Sequence, residues 1–252
     1  MSEFFRRTLT GIGIVIFILG GFWLHPVSFF ITGLIILAGA QYEYYLMIRG
    51  TGIDPQMLQG IFTGILIYVI STFVAAGYIS SDWYLIVLPV ITAIMVIELY
   101  RRKDKPFDSL AHTFFPLIYC AVPLSLFPWA AFSRSGLESL LPHAGLVFSP
   151  GIIIGFFLLL WSNDTFAYLA GISLGRHRLM ERISPKKSWE GFFGGLIITL
   201  LVAWLLSGWL GVVNKVGWVL IASIISVTGT FGDLIESMIQ VQSKAILSQA
   251  LI

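Results

Sequence analysis

Eight apolar runs occupy most of this 252-residue chain, near positions 8–24, 27–47, 58–78, 83–100, 110–131, 147–174, 189–211 and 217–239. A helix that crosses a bilayer needs about 20 predominantly apolar residues. Each run is close to that length, so the repeated pattern dictates an all-α, polytopic membrane bundle of about eight transmembrane helices. Composition agrees: 57% of residues are hydrophobic and only 11% are Asp, Glu, Lys or Arg, against about 25% charged residues in soluble domains. A water-soluble domain is excluded. The core of such a chain is bilayer together with helix–helix contact.

The breaks between runs carry turn signals at His25-Pro26, Asp54-Pro55, Pro106, Pro142, Ser149-Pro150 and Ser184-Pro185. No linker, low-complexity tract or charge block divides the chain, which reads as a single transmembrane domain over 1–252. Within it, 1–131 is a helical scaffold and 147–239 carries the polar motifs. Arg6-Arg7 followed by an apolar run resembles a signal peptide, but Trp23, His25 and Pro26 stand where a cleavage site would. The expectation is a retained signal-anchor helix. Cys120 is the single cysteine, which excludes an intramolecular disulfide and a cysteine-based zinc site.

The basic residues fix an orientation. If every run spans, all of the 15 Lys and Arg except Arg134 and Lys215 fall on one side. That side is the cytoplasm of a cell (inner) membrane protein, with cytoplasmic loops at 48–57, 101–108 and 175–188.

Acids inside or beside the runs are the candidates for function, because a charge at the bilayer centre costs roughly 2.5–3.5 kcal/mol. Glu98 lies near Arg101 and Arg102 and reads as an interfacial ion pair; Glu43, among Tyr42, Tyr44 and Tyr45, reads equally well as a snorkelling side chain. Asp164 is deeper in its run, with Tyr168, Gly171 and Gly175 on about the same side, where small residues permit close helix approach. Asp233, Glu236 and Ser237 share one helical face, and paired carboxylates there suit Mg²⁺, which takes a few carboxylates plus substrate phosphate oxygens. The bland alternatives are a buried Asp satisfied by hydroxyls and a polar helix–helix seam.

Residues 184–191 read Ser-Pro-Lys-Lys-Ser-Trp-Glu-Gly between two apolar runs. Ser184 and Pro185 suit a turn into a helix that Ser188 can cap. Lys186 and Lys187 would lie by that helix N-terminus, itself favourable to anions. Glu190 sits in the first turn, and Gly191, Gly194 and Gly195 permit close backbone approach. The bland alternative is a merely orienting basic loop. No nucleic acid partner is expected of lysines between spans. Arg101–Lys105 reads as an orientation signal or lipid-headgroup contact. Phosphate-loop, dinucleotide-binding, zinc-protease and serine-hydrolase motifs are absent. Of the histidines at 25, 112, 143 and 177, only His177 lies in a basic loop, and the four form no ligand spacing.

Three motifs in order carry a resemblance: Asp164-Thr-Phe-Ala-Tyr168 with Gly171 and Gly175; Ile183-Ser-Pro-Lys-Lys-Ser-Trp-Glu-Gly191; and Gly232-Asp-Leu-Ile-Glu-Ser237. Together, over about 160–239, they resemble the phosphatidate cytidylyltransferases, or CDP-diacylglycerol synthases. The first half resembles that family in hydropathy only. The resemblance implies CTP and phosphatidic acid as substrates, Mg²⁺ as cofactor, a multi-pass helical fold and a homodimer. It implies catalytic roles for Asp164, Lys186, Lys187, Glu190 and Asp233, and substrate contacts from Ser184, Lys186, Lys187, Ser188, Arg176 and Ser237. Metal ligation falls to Asp233 and Glu236. Arg176 stands where the family usually has Lys. After Ile239 the family continues with Lys-Arg, Lys-Asp, a Pro-Gly-His-Gly-Gly segment and Asp-Arg-x-Asp, whereas Gln240–Ile252 reads QVQSKAILSQALI. That segment includes the family's second metal-binding aspartate, so its absence predicts little or no transferase activity. Two other readings fit broken polar helices: a secondary transporter of an organic anion, and a non-catalytic membrane subunit.

Overall fold

A computed structural model of the chain describes residues 3–133 and 147–250, with side chains over 9–132 and 147–241. Arg134, Pro142 and His143 lie outside the described residues. The protein is an all-α, multi-pass membrane bundle. Seven stretches are long and apolar enough to cross a membrane: Pro26–Arg49, Met57–Ala75, Ser81–Arg101, Pro106–Ala131, Gly151–Leu174, Trp189–Leu210 and Lys215–Val241. An eighth apolar stretch, Leu9–Leu24, is shorter. Contacts gather the chain into two compact units, 1–150 and 151–252.

The first unit holds α1 (Glu3–Leu24), α2 (Pro26–Arg49), α3 (Met57–Ala75), α4 (Val87–Arg101), α5 (Pro106–Pro116) and α6 (Val122–Ala131). His25 caps α2, its ring Nδ1 accepting from Val27 N at 3.1 Å. The fifth apolar run is not one regular helix: a π-helical turn over Leu117–Ala121 joins α5 to α6. Pro123 has no N–H for the carbonyl one turn back, and its ring would collide with that carbonyl. The wider turn immediately before it takes up the mismatch. After α6, β1 (Phe132–Ser133) pairs antiparallel with β2 (Val147–Phe148). The sixth run therefore enters its helix only at Gly151.

Tyrosines on glycines set the spacing of α2 and α3. The Tyr45 hydroxyl lies against Gly60 and donates to Thr113 O at 2.7 Å; Tyr68 lies against Gly33. At the end of α4 a polar knot forms. The Gln56 amide donates to Ile94 O at 2.9 Å and to Glu98 Oε2 at 2.7 Å. Arg101 bridges Glu98 at 2.8 Å and Asp54 at 2.7 Å, and Lys103 reaches Asp54 at 2.9 Å. Glu98 thus makes the ion pair its sequence neighbourhood predicts.

The second unit holds α7 (Gly151–Leu174), a hairpin of β3 (Arg178–Met180) and β4 (Ser184–Ser188), α8 (Trp189–Leu210) and α9 (Lys215–Ala250). Its core is Leu159, Ala203, Leu206, Trp218, Ala222 and Ile225, with the Trp218 ring seated on Gly155. α7 and α8 meet closely, through glycines on α8 and alanines on α7. A Cβ on Gly191 would stand 2.8 Å from Ala167 O, and one on Gly195 would stand 2.9 Å from Asn163 O. Residues 184–188, expected as a turn, form a strand instead. Arg178 pairs with Ser188 and Met180 with Ser184, with a bulge between Arg178 and Met180. Pro185 is tolerated because a two-stranded ribbon leaves one edge of each strand unpaired. Ser188 does cap α8, its Oγ accepting from Gly191 N at 3.1 Å.

Two outcomes are expected. Gly195→Val should lower the thermal stability of the detergent-solubilised protein by about 1–3 kcal/mol, the usual cost of overpacking, because backbone rather than a flexible side chain blocks the site; melting monitored by tryptophan fluorescence measures it. The second concerns pH. The hydrogen bond from Lys103, with Arg101 and Arg49 nearby, holds the Asp54 carboxyl below the usual carboxylate range against the opposing effect of partial burial. A depressed carboxyl stabilises the fold above its unfolded value, about 4, and that contribution is lost as pH falls through the lower folded value. Wild type should therefore melt above Asp54→Asn near neutral pH, and the difference should shrink on acidification below about pH 4.

Candidate functional site

The second unit encloses a cavity of about 560 Å³. Three cationic side chains line it: Arg178 from β3, and Lys186 and Lys187 from β4. Two carboxylates face them, Asp164 from α7 and Asp233 from α9. Lys187 Nζ lies 2.9 Å from Asp233 Oδ2 and 3.5 Å from Thr230 O, tying the hairpin to α9. Asp164 interacts electrostatically with both Asp233 and Lys187. The glycine seam produces this arrangement: Gly171 and Gly191 both line the cavity, and their bare backbones let α7 and α8 converge beneath the hairpin. Ile172, Leu179 and Phe192 give the cavity an apolar stretch of wall.

The sequence candidates divide by place. Asp164, Lys186, Lys187, Ser188 and Asp233 line the cavity. Arg176, Ser184, Glu190, Glu236 and Ser237 do not. Glu190 is turned toward the base of the hairpin, where its carboxylate accepts from Arg176 N at 3.1 Å and meets His177 Nδ1 at 2.6 Å. Glu236 lies one turn along α9 from Asp233, with Oε1 accepting from the Gln240 amide at 2.9 Å.

Sequence reasoning passed over three polar lining residues. Arg178 counted only as one of several loop cations; the hairpin register that sets it opposite Ser188 has no short-range signature. Asn163 is 2% exposed and its Oδ1 is buried without a partner among the described residues. Its place beside Asp164 was the available signal. Thr230, also buried, offers its carbonyl to Lys187. One turn separates it from Asp233, which would have flagged it.

Chemically, three cations around two carboxylates suit a polyanion carried with a divalent cation. Among the described residues no group of three or more His, Cys, Asp and Glu gathers to hold a metal by itself. Two carboxylates completed by ligand phosphate oxygens match the way Mg²⁺ is usually bound, so the donor set fits a metal that arrives with its ligand.

Phosphatidate cytidylyltransferase 5, chloroplastic, of Arabidopsis thaliana is 28% identical over 264 aligned positions, covering 95% of this chain and 63% of the relative. The phosphatidate cytidylyltransferase of Haemophilus influenzae is 33% identical over 107 residues, 40% of this chain and 36% of the relative. That of Staphylococcus saprophyticus is 43% identical over 83 residues, 32% of each chain. The chain thus matches less than two thirds of the length of each of these relatives. The profile of the cytidylyltransferase family matches residues 5–244, nearly the whole sequence, and the chain belongs to that family.

Proposed function

We propose that the chain carries the substrate site of a CTP:phosphatidate cytidylyltransferase, acting in phospholipid biosynthesis from the cytoplasmic face of a cell membrane, as a homodimer. The observation that supports this most is the cavity of the second unit. One wall presents Arg178, Lys186 and Lys187 to phosphate groups, and another is apolar and made by membrane helices. Such a site suits a ligand that is phosphate at one end and hydrocarbon at the other. A phosphatidate oxygen attacks the α-phosphorus of CTP, the bond to the β-phosphate oxygen breaks, and pyrophosphate leaves.

Little covalent assistance is needed for this transfer; what counts is holding two anions together and offsetting their charge. Lys186, Lys187 and Arg178 hold the phosphates. Asp233 and Asp164, both facing the cavity, would hold Mg²⁺, which supplies charge neutralisation at the triphosphate when bound. Glu236, outside the lining, is left out of that proposed shell. Lys187 and Asp233 satisfy one another, so a bound anion would compete for a cation already held in position. The acyl chains stay in the bilayer beside Ile172 and Phe192. The anion transporter shares the cationic site but gains no support from the family match.

Two experiments test this reading. The full chain in nanodiscs containing phosphatidate should bind CTP saturably and with Mg²⁺ dependence. Lys187→Ala should weaken binding about tenfold, the loss of one charge-assisted hydrogen bond. Asp233→Asn should abolish the Mg²⁺ dependence and lower any transfer of labelled cytidylyl groups into chloroform-soluble lipid by about 10²-fold or more. Absence of CTP binding refutes the proposal, and label retained inside proteoliposomes rather than in lipid supports the transporter. For orientation, Glu181→Cys in a Cys120→Ser background should react with impermeant maleimide only from the cytoplasmic side. Labelling from the opposite side alone would remove the site from cytosolic nucleotide.

A further inference from the structure

Glu190 is an acid in the first turn of a helix whose N-terminus is already capped. Ser188 Oγ takes Gly191 N at 3.1 Å, leaving the Glu190 carboxylate to reach backwards across the hairpin. There it meets three donors at once. Oε2 accepts from Arg176 N at 3.1 Å, both oxygens accept from His177 N at 3.2 Å, and Oε1 meets the His177 ring at 2.6 Å. The neighbouring backbone joins in, with Trp189 N donating to His177 O at 2.9 Å. Strand pairing proper ends at Arg178 opposite Ser188. Beyond that pair, Arg176 and His177 have no facing strand, because the chain opposite has turned into α8. Glu190 supplies the acceptors that a strand would have supplied.

This junction carries the cavity wall. Arg178 lies one residue beyond the tethered His177 and pairs with Ser188, and both line the cavity; so do Lys186 and Lys187 on β4. Glu190 itself does not. A group that acted on the ligand would have to face it.

We propose that Glu190 is a positioning residue: it latches the base of the β3–β4 hairpin to the start of α8 and so holds Arg178, Lys186 and Lys187 at the cavity. The inference rests on reading that cavity as the substrate site, but the latch can be measured separately. Freed of Glu190, two adjacent backbone N–H groups lose their acceptor, the hairpin base opens more often, and the three cations reach the ligand in a less ordered array.

Amide hydrogen exchange of the full chain in nanodiscs, paired with CTP titration, tests it. Glu190→Ala should speed exchange at Arg176 and His177 about tenfold or more, since opening of a local unit is set by the contacts that close it. It should also weaken CTP binding several-fold. Glu190→Gln keeps an oxygen acceptor and should restore most of the protection. Lys186→Ala keeps the Lys187–Asp233 tie; it should weaken CTP binding while exchange at Arg176 and His177 stays as in wild type, which separates the latch from the ligand contacts. If Glu190→Ala does not fold, His177→Ala removes the ring contact alone and should raise exchange at Arg176 by a smaller factor. Unchanged exchange in Glu190→Ala, or in His177→Ala where that is the variant available, overturns the latch. So does a Glu190→Gln protein as open as Glu190→Ala. Should wild type fail to bind CTP, the substrate reading falls and the exchange results still decide the latch.

Discussion

Close approach of α7 and α8 is the constraint on which the second unit depends. Gly191 and Gly195 place bare backbone where any Cβ would strike Ala167 O or Asn163 O. In a bilayer, apolar side chains gain little by leaving lipid for one another, and packing of small residues is a main source of helix association. The seam therefore does two things with the same atoms. It joins the helices, and it leaves room above Gly171 and Gly191 for a cavity roofed by the hairpin. In the first unit the equivalent solution is different: Tyr45 and Tyr68 fill the space over Gly60 and Gly33.

The membrane spans were legible because hydropathy over some twenty residues is a strong, redundant signal. Ser188 as a cap and the close approach at Gly171 and Gly191 were legible too, since each follows from one residue type in a local setting. The hairpin was not. Its strands span only Arg178–Met180 and Ser184–Ser188, too short to show alternation, and Pro185 with two lysines reads more naturally as a turn. The π turn at Leu117–Ala121 was hidden for another reason: prolines announce a disturbance but not the form it takes.

Site chemistry shows the same division. Asp164, Lys186, Lys187 and Asp233 stand out as charges where charge is costly, and the structure gathers them round one cavity. Residue type says less about direction. Glu190 and Glu236 are as charged as the others, yet one turns to the backbone of Arg176 and His177 and the other to Gln240. The partners of Glu190 lie 13 and 14 positions earlier, across a hairpin invisible in the sequence. Asn163 gives no signal of its own; its burial follows from packing that residue type does not announce.

The Lys187–Asp233 pair also bears on how the chain enters the membrane. Asp233 belongs to α9, which emerges after the hairpin during synthesis, and a lone carboxylate within a span opposes insertion, by roughly 2.5–3.5 kcal/mol where it lies at the bilayer centre. By then the hairpin has been made, and Lys187 Nζ comes to lie 2.9 Å from that carboxylate in the finished unit. The cost of that one carboxylate is thus offset once an earlier segment offers the counter-charge. The order of translation becomes an assembly order, with α7, the hairpin and α8 forming the receptor for α9.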